Sequence, residues 1–368
     1  MAAPSGGEAE RERQRSRSQP GVFAYSEADF HRSGVRWGGP GPGSRLDRAL
    51  RSAWEERRDC FRYSLPQARP PSRVLPGPSR LLAQLNPQRA TERRRPQPIL
   101  GLRQPFDPRG FHFGRIGARE ILFALRPGQE EEALLVINVS PLEFGHVLLL
   151  PEPARGLPQV LSRASVLRGL ELMFLSSDPG FRVGFNSLGA LASVNHLHLH
   201  GYYLPHRLRV EWAATEPLTP DRGGGRAGHP VHLMSGHPTR GLVLYTDGTD
   251  IPQTAAALHR LADFLLDRSL AHNLFLTRGC PLGGRQEDTG SRDGVRLILW
   301  PRRSVFGVKE PAAFNVALCE LAGHLPVNNP EDYSSLTEEK ALEIIRKYLL
   351  PEEELSQLRL EIAEFLED

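Results

Sequence analysis

The chain has 368 residues, 39% of them hydrophobic, and a formal net charge of +3. That length holds two domains or one large duplicated one with a real core, and the small charge by itself gives no case for a nucleic-acid partner. No stretch approaches about 18 consecutive apolar residues, so no membrane span is expected. Cys60, Cys280 and Cys319 are too widely spaced for a disulfide framework or a zinc pattern and suggest a reducing compartment. The polar N-terminus has no apolar signal core, so a cytosolic protein is expected.

In chain order, residues 1–43 are rich in Gly, Pro, Ser and Arg and are expected to be a disordered arm. Phe23, Tyr25 and Phe30 within it are placed to dock on the body. The basic stretch Arg11 to Arg17 lacks the interleaved aromatics of a nucleic-acid binder. Leu46, Leu50 and Trp54, spaced by four, predict a first helix reaching Cys60. Residues 66–80 are Pro-rich and expected to be extended. Arg93-Arg94-Arg95 reads either as solvated surface or as a cluster facing phosphate. The aromatic loop from Gln104 to Phe113 either walls a ligand or plugs the edge of a core.

Strands are predicted at 121–125, 133–138 and 146–150, a helix over 160–176 from its 3.6-residue apolar period, and a strand at 181–186. Residues 207–240 read as a linker containing a flexible Gly-rich loop, Asp221 to Gly228. A second block follows, with a strand at 241–245, a helix over 251–268, a strand at 273–277, a Gly-rich loop over 279–294 and a strand at 295–301. This order loosely echoes 133–200 and suggests a degenerate internal duplication. Two amphipathic helices, 337–349 and 351–366, close the chain, the first capped by Thr337. The expected organisation is an arm (1–43), a first half (44–206), a linker (207–240) and a second half (241–368).

The stretch Asn195-His196-Leu197-His198-Leu199-His200-Gly201-Tyr202-Tyr203 alternates imidazoles with leucines. On a strand the leucines would bury and the histidines form a row on the opposite face, with neighbours about 7 Å apart. Such a row suits nucleophilic or acid–base chemistry, since neighbours fix the middle imidazole and leave it open to a substrate. A metal site is the rival reading, although strand neighbours splay too widely for all three to hold one ion. A structural role also stays open.

Asn186 and Gly189, then Ser193-Val194-Asn195-His196-Leu197-His198-Leu199-His200, with Pro141 and Gly145-His146-Val147-Leu148-Leu149-Leu150-Pro151 upstream, resemble the signature of the histidine-triad superfamily. More narrowly, Gln84-Leu85-Asn86, Gln104-Pro105-Phe106-Asp107, Ile137-Asn138-Val139-Ser140-Pro141, Phe185-Asn186-Ser187-Leu188-Gly189-Ala190 and Glu320-Leu321-Ala322-Gly323-His324 are similar to its GDP-hexose phosphorylase branch. The likeness runs from about residue 60 to 355. It implies an α+β protein, a HIT-like antiparallel sheet with flanking helices in a degenerate duplicated form.

The resemblance also implies a nucleotidyltransferase that takes GDP-glucose and inorganic phosphate. His198 would attack the α-phosphorus and release glucose 1-phosphate, and phosphate would then take the guanylyl group from the histidine to give GDP. His196 would order the row, and His200 would donate to the phosphate or the departing oxygen. Asn186 and Ser193 would hold phosphate or ribose, and Asn138 the ribose, with Gly189, Phe106 and Asp107 in the same substrate site and His146 supporting it from behind. No metal or other cofactor is expected, and neither nucleic acid nor membrane as a partner. A duplicated chain would suffice as a monomer. His200 stands where plant GDP-galactose phosphorylases and hexose-1-phosphate uridylyltransferases carry glutamine and triad hydrolases carry histidine. His112 and Arg115 depart from the asparagine and lysine expected in the aromatic loop. A nucleotide-sugar or dinucleotide hydrolase and a non-catalytic nucleotide-binding protein are the alternatives.

Overall fold

The structure is a computed structural model that describes residues 20–39, 43–65, 69–94, 96–128, 132–218, 230–283, 290–307 and 312–367. The start of the expected arm, Arg95 and the loop Asp221 to Gly228 lie outside the described residues. The described strands are β1 (Val22–Tyr25), β2 (Ser72–Val74), β3 (Leu82–Leu85), β4 (Ile121–Pro127), β5 (Ala133–Ile137), β6 (Val147–Leu150), β7 (Phe181–Asn186), β8 (Leu199–Tyr203), β9 (Thr215–Pro217), β10 (His232–Met234), β11 (Leu242–Thr246), β12 (Ala271–Gly279), β13 (Gly294–Arg302) and β14 (His324–Val327). The α-helices are α1 (Arg45–Glu55), α2 (Pro87–Glu92), α3 (Arg163–Leu175), α4 (Ile251–Asp267), α5 (Leu318–Leu321), α6 (Pro330–Ser335), α7 (Glu338–Arg346) and α8 (Glu352–Glu367).

Eleven strands form one sheet in the order β1-β4-β5-β6-β8-β7-β12-β13-β11-β10-β9. Counted outward from the antiparallel β7–β12 seam, one half runs β7, β8, β6, β5, β4 and the other β12, β13, β11, β10, β9. Each half threads its long helix at the same point, α3 before β7 and α4 before β12. The two halves therefore share one topology, which is the mixed α+β, duplicated arrangement expected. The counterpart of β8 in the second half, β13, contains no histidine.

Alternation decides which face does what. Leu197 and Leu199 join Val183, Leu274 and Leu276 in the core under α3 and α4. Tyr202, Phe275, Ile298 and Trp300 face the other way, into a second core against β3, β14 and α5. There β14, β3 and β2 form a separate three-stranded sheet. Burying a leucine contributes roughly 1.5–3 kcal/mol, so Leu197 and Leu199 anchor the segment that carries the histidines.

Three expectations need correction. The arm is ordered from residue 20 to 39, because β1 finds backbone partners along β4 while Phe23 packs on Phe123 and Tyr25 OH donates to Glu171 Oε2 at 2.8 Å. The segment 207–240 is not merely a linker, since β9 and β10 complete the second half of the sheet. The histidine strand begins at Leu199, so His196 and His198 lie on the loop leading into it. Asn195 sets that loop apart, because its side chain bonds Gln159 N–H and the carbonyls of Gln104 and Pro105 instead of pointing along a ladder.

Candidate active site

His198 is held from three sides. Its N–H donates to Gln159 Oε1 at 2.9 Å, and its carbonyl accepts from Gln159 Nε2 at 3.1 Å. Its Nδ1 lies 2.7 Å from the His196 carbonyl, which can only accept, so the ring proton sits on Nδ1 and the lone pair on Nε2. His198 lines an open cleft together with His200, Asn138 and Asn186. Burial, outweighing the bond to the His196 carbonyl, lowers its pKa to about 4, so the ring is neutral at pH 7.

His200 is the next imidazole along, with its ring centroid 5.2 Å from that of His198. Its tautomer is set by a chain of hydrogen bonds that starts in the backbone. Leu142 N–H donates to His146 Nδ1 at 2.8 Å, which leaves the neutral His146 ring protonated at Nε2. That Nε2–H faces His200 Nδ1 at 3.1 Å, so His200 carries its own proton on Nε2. Burial first, and then the charges around them, hold both rings well below the ordinary histidine pKa. His200 thus offers the cleft a fixed neutral N–H donor.

His196 is placed differently. Its Nδ1 accepts from Phe113 N–H at 3.1 Å, and its ring stacks on Phe113 and packs on Phe106 and His112. A backbone bond to Pro153 engages the imidazole further, and burial lowers its pKa to about 4. His196 does not line the cleft and meets His198 through its carbonyl, which bonds the His198 ring.

Asn186, Ser193 and Asn138 line the same cleft as His198 and His200. Asn186 Oδ1 already accepts from Asn273 Nδ2 at 2.6 Å and Leu318 N–H at 3.0 Å, so its amide N–H groups are what it can offer a ligand. Asn138 Oδ1 is likewise taken by Ser140 N–H at 3.0 Å, and its Nδ2 lies 3.1 Å from His146 Nε2. The structure places Phe106, Asp107 and Gly189 outside the cleft lining. Phe106 packs behind His196, and exposed Asp107 pairs with Arg109 at 3.1 Å. Gly189 has φ +72°, and a Cβ there would meet Leu102 Cδ2 at 2.7 Å, so its role is a tight turn.

Several residues of the site escape a sequence reading. Gln159 sits in an unremarkable stretch before α3. Asn273 and Leu318 reach Asn186 from the second half of the chain, about 90 and 130 residues away in sequence, without any local motif. Arg89 and Arg93 line the cleft, as does Arg94, whose guanidinium lies 3.4 Å from the Phe111 ring centroid. Among these only the Arg93–Arg94 run had a readable signal. Among the described residues no three of His, Cys, Asp and Glu converge as metal ligands.

The fold is similar to that of the yeast Ap4A phosphorylase Apa2 in complex with Ap4A, with a TM-score of 0.56 at 14% identity over 83% of this chain and 98% of that one. In sequence the chain is 50% identical over 341 residues to GDP-D-glucose phosphorylase 1 of Danio rerio, covering 92% of this chain and 96% of that protein. It is 48% identical over 353 residues to GDP-D-glucose phosphorylase 1 of Bos taurus, covering 92% and 90%. The GDPGP1-like N-terminal domain matches residues 45–202 and the GDPGP1-like C-terminal domain residues 209–368, so the chain belongs to the GDPGP1-like family.

Proposed function

We propose that this protein is a GDP-hexose phosphorylase, a nucleotidyltransferase that converts GDP-glucose and inorganic phosphate to GDP and glucose 1-phosphate through a GMP adduct on His198. The reading rests on the Nδ1–H of His198 being held by the His196 carbonyl, which leaves the Nε2 lone pair for the cleft. In the first step Nε2 bonds to the α-phosphorus and the bond to the bridging oxygen breaks, so glucose 1-phosphate leaves with that electron pair. The imidazole becomes cationic, and the His196 carbonyl stabilises the charge through the Nδ1–H. In the second step a phosphate oxygen bonds to the same phosphorus and the P–N pair returns to Nε2. Dividing the transfer between two displacements is what a covalent nucleophile provides.

His200 Nε2–H and the Asn186 amide act as donors to the phosphate oxygens, fixed before the substrate arrives. Asn138 and Ser193 contribute polar groups to the same wall. Three free cysteines fit a reducing compartment such as the cytosol. The test is incubation with GDP-glucose without phosphate. The expected result is one equivalent of glucose 1-phosphate and a GMP–protein adduct that added phosphate discharges as GDP. Free GMP as the product in the presence of phosphate would support a hydrolase, and tight GDP binding without turnover a binding protein.

A further inference from the structure

Arg89 and Arg93 are spaced i, i+4 on α2 and its C-terminal cap, and both line the cleft that holds His198 and His200. Like charges at that spacing repel. Neither guanidinium has an ion pair among the described residues. Arg89 is fixed by donating from Nη1 to the Ser140 carbonyl, a neutral partner. Its backbone is held as well, Arg89 N–H donating to Asn86 Oδ1 at 3.3 Å while Asn86 Nδ2 reaches the Leu142 carbonyl at 3.4 Å. Two acids share the cleft; the Glu320 charge acts through space on both arginines, but neither acid forms an ion pair with them among the described residues. Glu320 Oε2 accepts from Ala317 N–H at 2.8 Å and from Cys319 Sγ at 3.0 Å, and Glu120 Oε1 accepts from Gly117 N–H at 3.0 Å. Two partly buried positive charges thus line the same cleft as the histidines without an ion pair among the described residues.

Their position relative to the histidines gives the anion an identity. Arg89 donates to the Ser140 carbonyl, Ser140 N–H donates to Asn138 Oδ1, Asn138 Nδ2 lies 3.1 Å from His146 Nε2, and that Nε2 faces His200 Nδ1 at 3.1 Å. This run of contacts places Arg89 on the His146–His200 side of the histidines, and the same charge acts on both of those rings. A group there adjoins the phosphate that His198 would attack.

We propose that Arg89 and Arg93 form the subsite for the second phosphate, which is the β-phosphate of the nucleotide sugar in the first step and inorganic phosphate in the second. This rests on the two-step reading above. It also gives the choice between phosphorolysis and hydrolysis a physical basis. Phosphate held by two guanidiniums beside the adduct reacts at a high effective concentration, whereas water has no comparable anchor.

The experiment compares wild type, Arg93→Gln and Arg93→Lys, measuring GDP and GMP as inorganic phosphate is varied. Arg93 makes no hydrogen bond or ion pair among the described residues, so its replacement leaves the fold intact. For Arg93→Gln the KM for phosphate is expected to rise about tenfold or more, with part of the turnover diverted to GMP, and lysine is expected to recover part of the loss. An unchanged phosphate KM with no GMP would overturn the proposal. A rise confined to the KM for GDP-glucose would also overturn it, assigning the arginines to the base or the hexose. Binding of inorganic phosphate to the unreacted protein, measured by calorimetry for wild type and Arg93→Gln, is the second readout. It tests the subsite even if no adduct forms, so failure of the subsite and failure of the two-step chemistry remain distinguishable.

Discussion

Gln159 closes a two-point clamp on the main chain of His198, accepting its N–H at 2.9 Å and donating to its carbonyl at 3.1 Å. Because His198 precedes β8, no strand neighbour makes these bonds, and a fully buried side chain substitutes for the ladder. Gln159→Ala takes a side-chain partner from three buried backbone groups, His198 N–H and the carbonyls of His198 and Asn186, and is expected to cost about 1–3 kcal/mol of stability. It should also lower kcat up to about 100-fold with a much smaller change in KM, since small misplacement of a reacting atom is that costly. Equal losses in stability-matched controls, with KM rising as much as kcat falls, would argue against a positioning role.

His198→Ala is expected to remove turnover and the GMP adduct together while the far-UV circular dichroism stays that of wild type. Mass spectrometry after incubation with GDP-glucose makes the comparison. An adduct that persists in the variant would move the nucleophile to another residue.

In the proposed mechanism His200 is a neutral donor, so the identity of the donor matters less than its presence. His200→Gln should retain appreciably more adduct formation than His200→Phe, because a glutamine amide can still present an N–H. His146→Phe removes the ring that fixes the His200 tautomer and should slow the same step about tenfold, without abolishing it. Single-turnover rates without phosphate isolate that step.

The pKa of about 4 at His198 makes a further claim. The rate of adduct formation should be flat from pH 8 to about 5.5, where an ordinary imidazole would already be mostly protonated. A decline centred near pH 6.5 would mean that the ring is more open to water than its burial implies.

Stability should behave differently. Burial holds His196, His198 and His272 at about 4 and His237 and His324 at about 3, against 6.5 for the free side chain. Between those values the unfolded chain binds more protons than the folded one. The contribution of these neutral rings is therefore complete above pH 6.5 and is lost as pH falls through the window below it. Thermal melts at pH 7.5 and 5 should differ by at least about 4 °C, with the acid value lower. Identical midpoints would sink this account.

The leucine face of the histidine strand was readable, since Leu197 and Leu199 show the period-2 signal and both enter the helix-side core. The reach of that strand was not. Alternation looks the same in a ladder and in the loop before it, and only the tertiary partners of Asn195 and His198 end the strand at Leu199. The aromatic loop shows a related ambiguity. Its rigid apolar area was legible, but Phe106 spends it on His196 behind the cleft and leaves Phe111 and Phe113 to form the wall. Gln159, Asn273 and Leu318 were silent because what each contributes is a hydrogen bond to a distant residue, and no local spacing encodes that.

The seam between β7 and β12 places Asn186 opposite Asn273, and Asn273 Nδ2 grips Asn186 Oδ1 at 2.6 Å. The half whose β13 carries no histidine is thereby lashed to the half whose β8 carries His200. Dividing this chain at its internal repeat would not yield one working module and one discarded copy. It would strip Asn186 of both groups that aim it, and the surviving imidazoles would face a pocket whose opposite jaw had left with the other fragment.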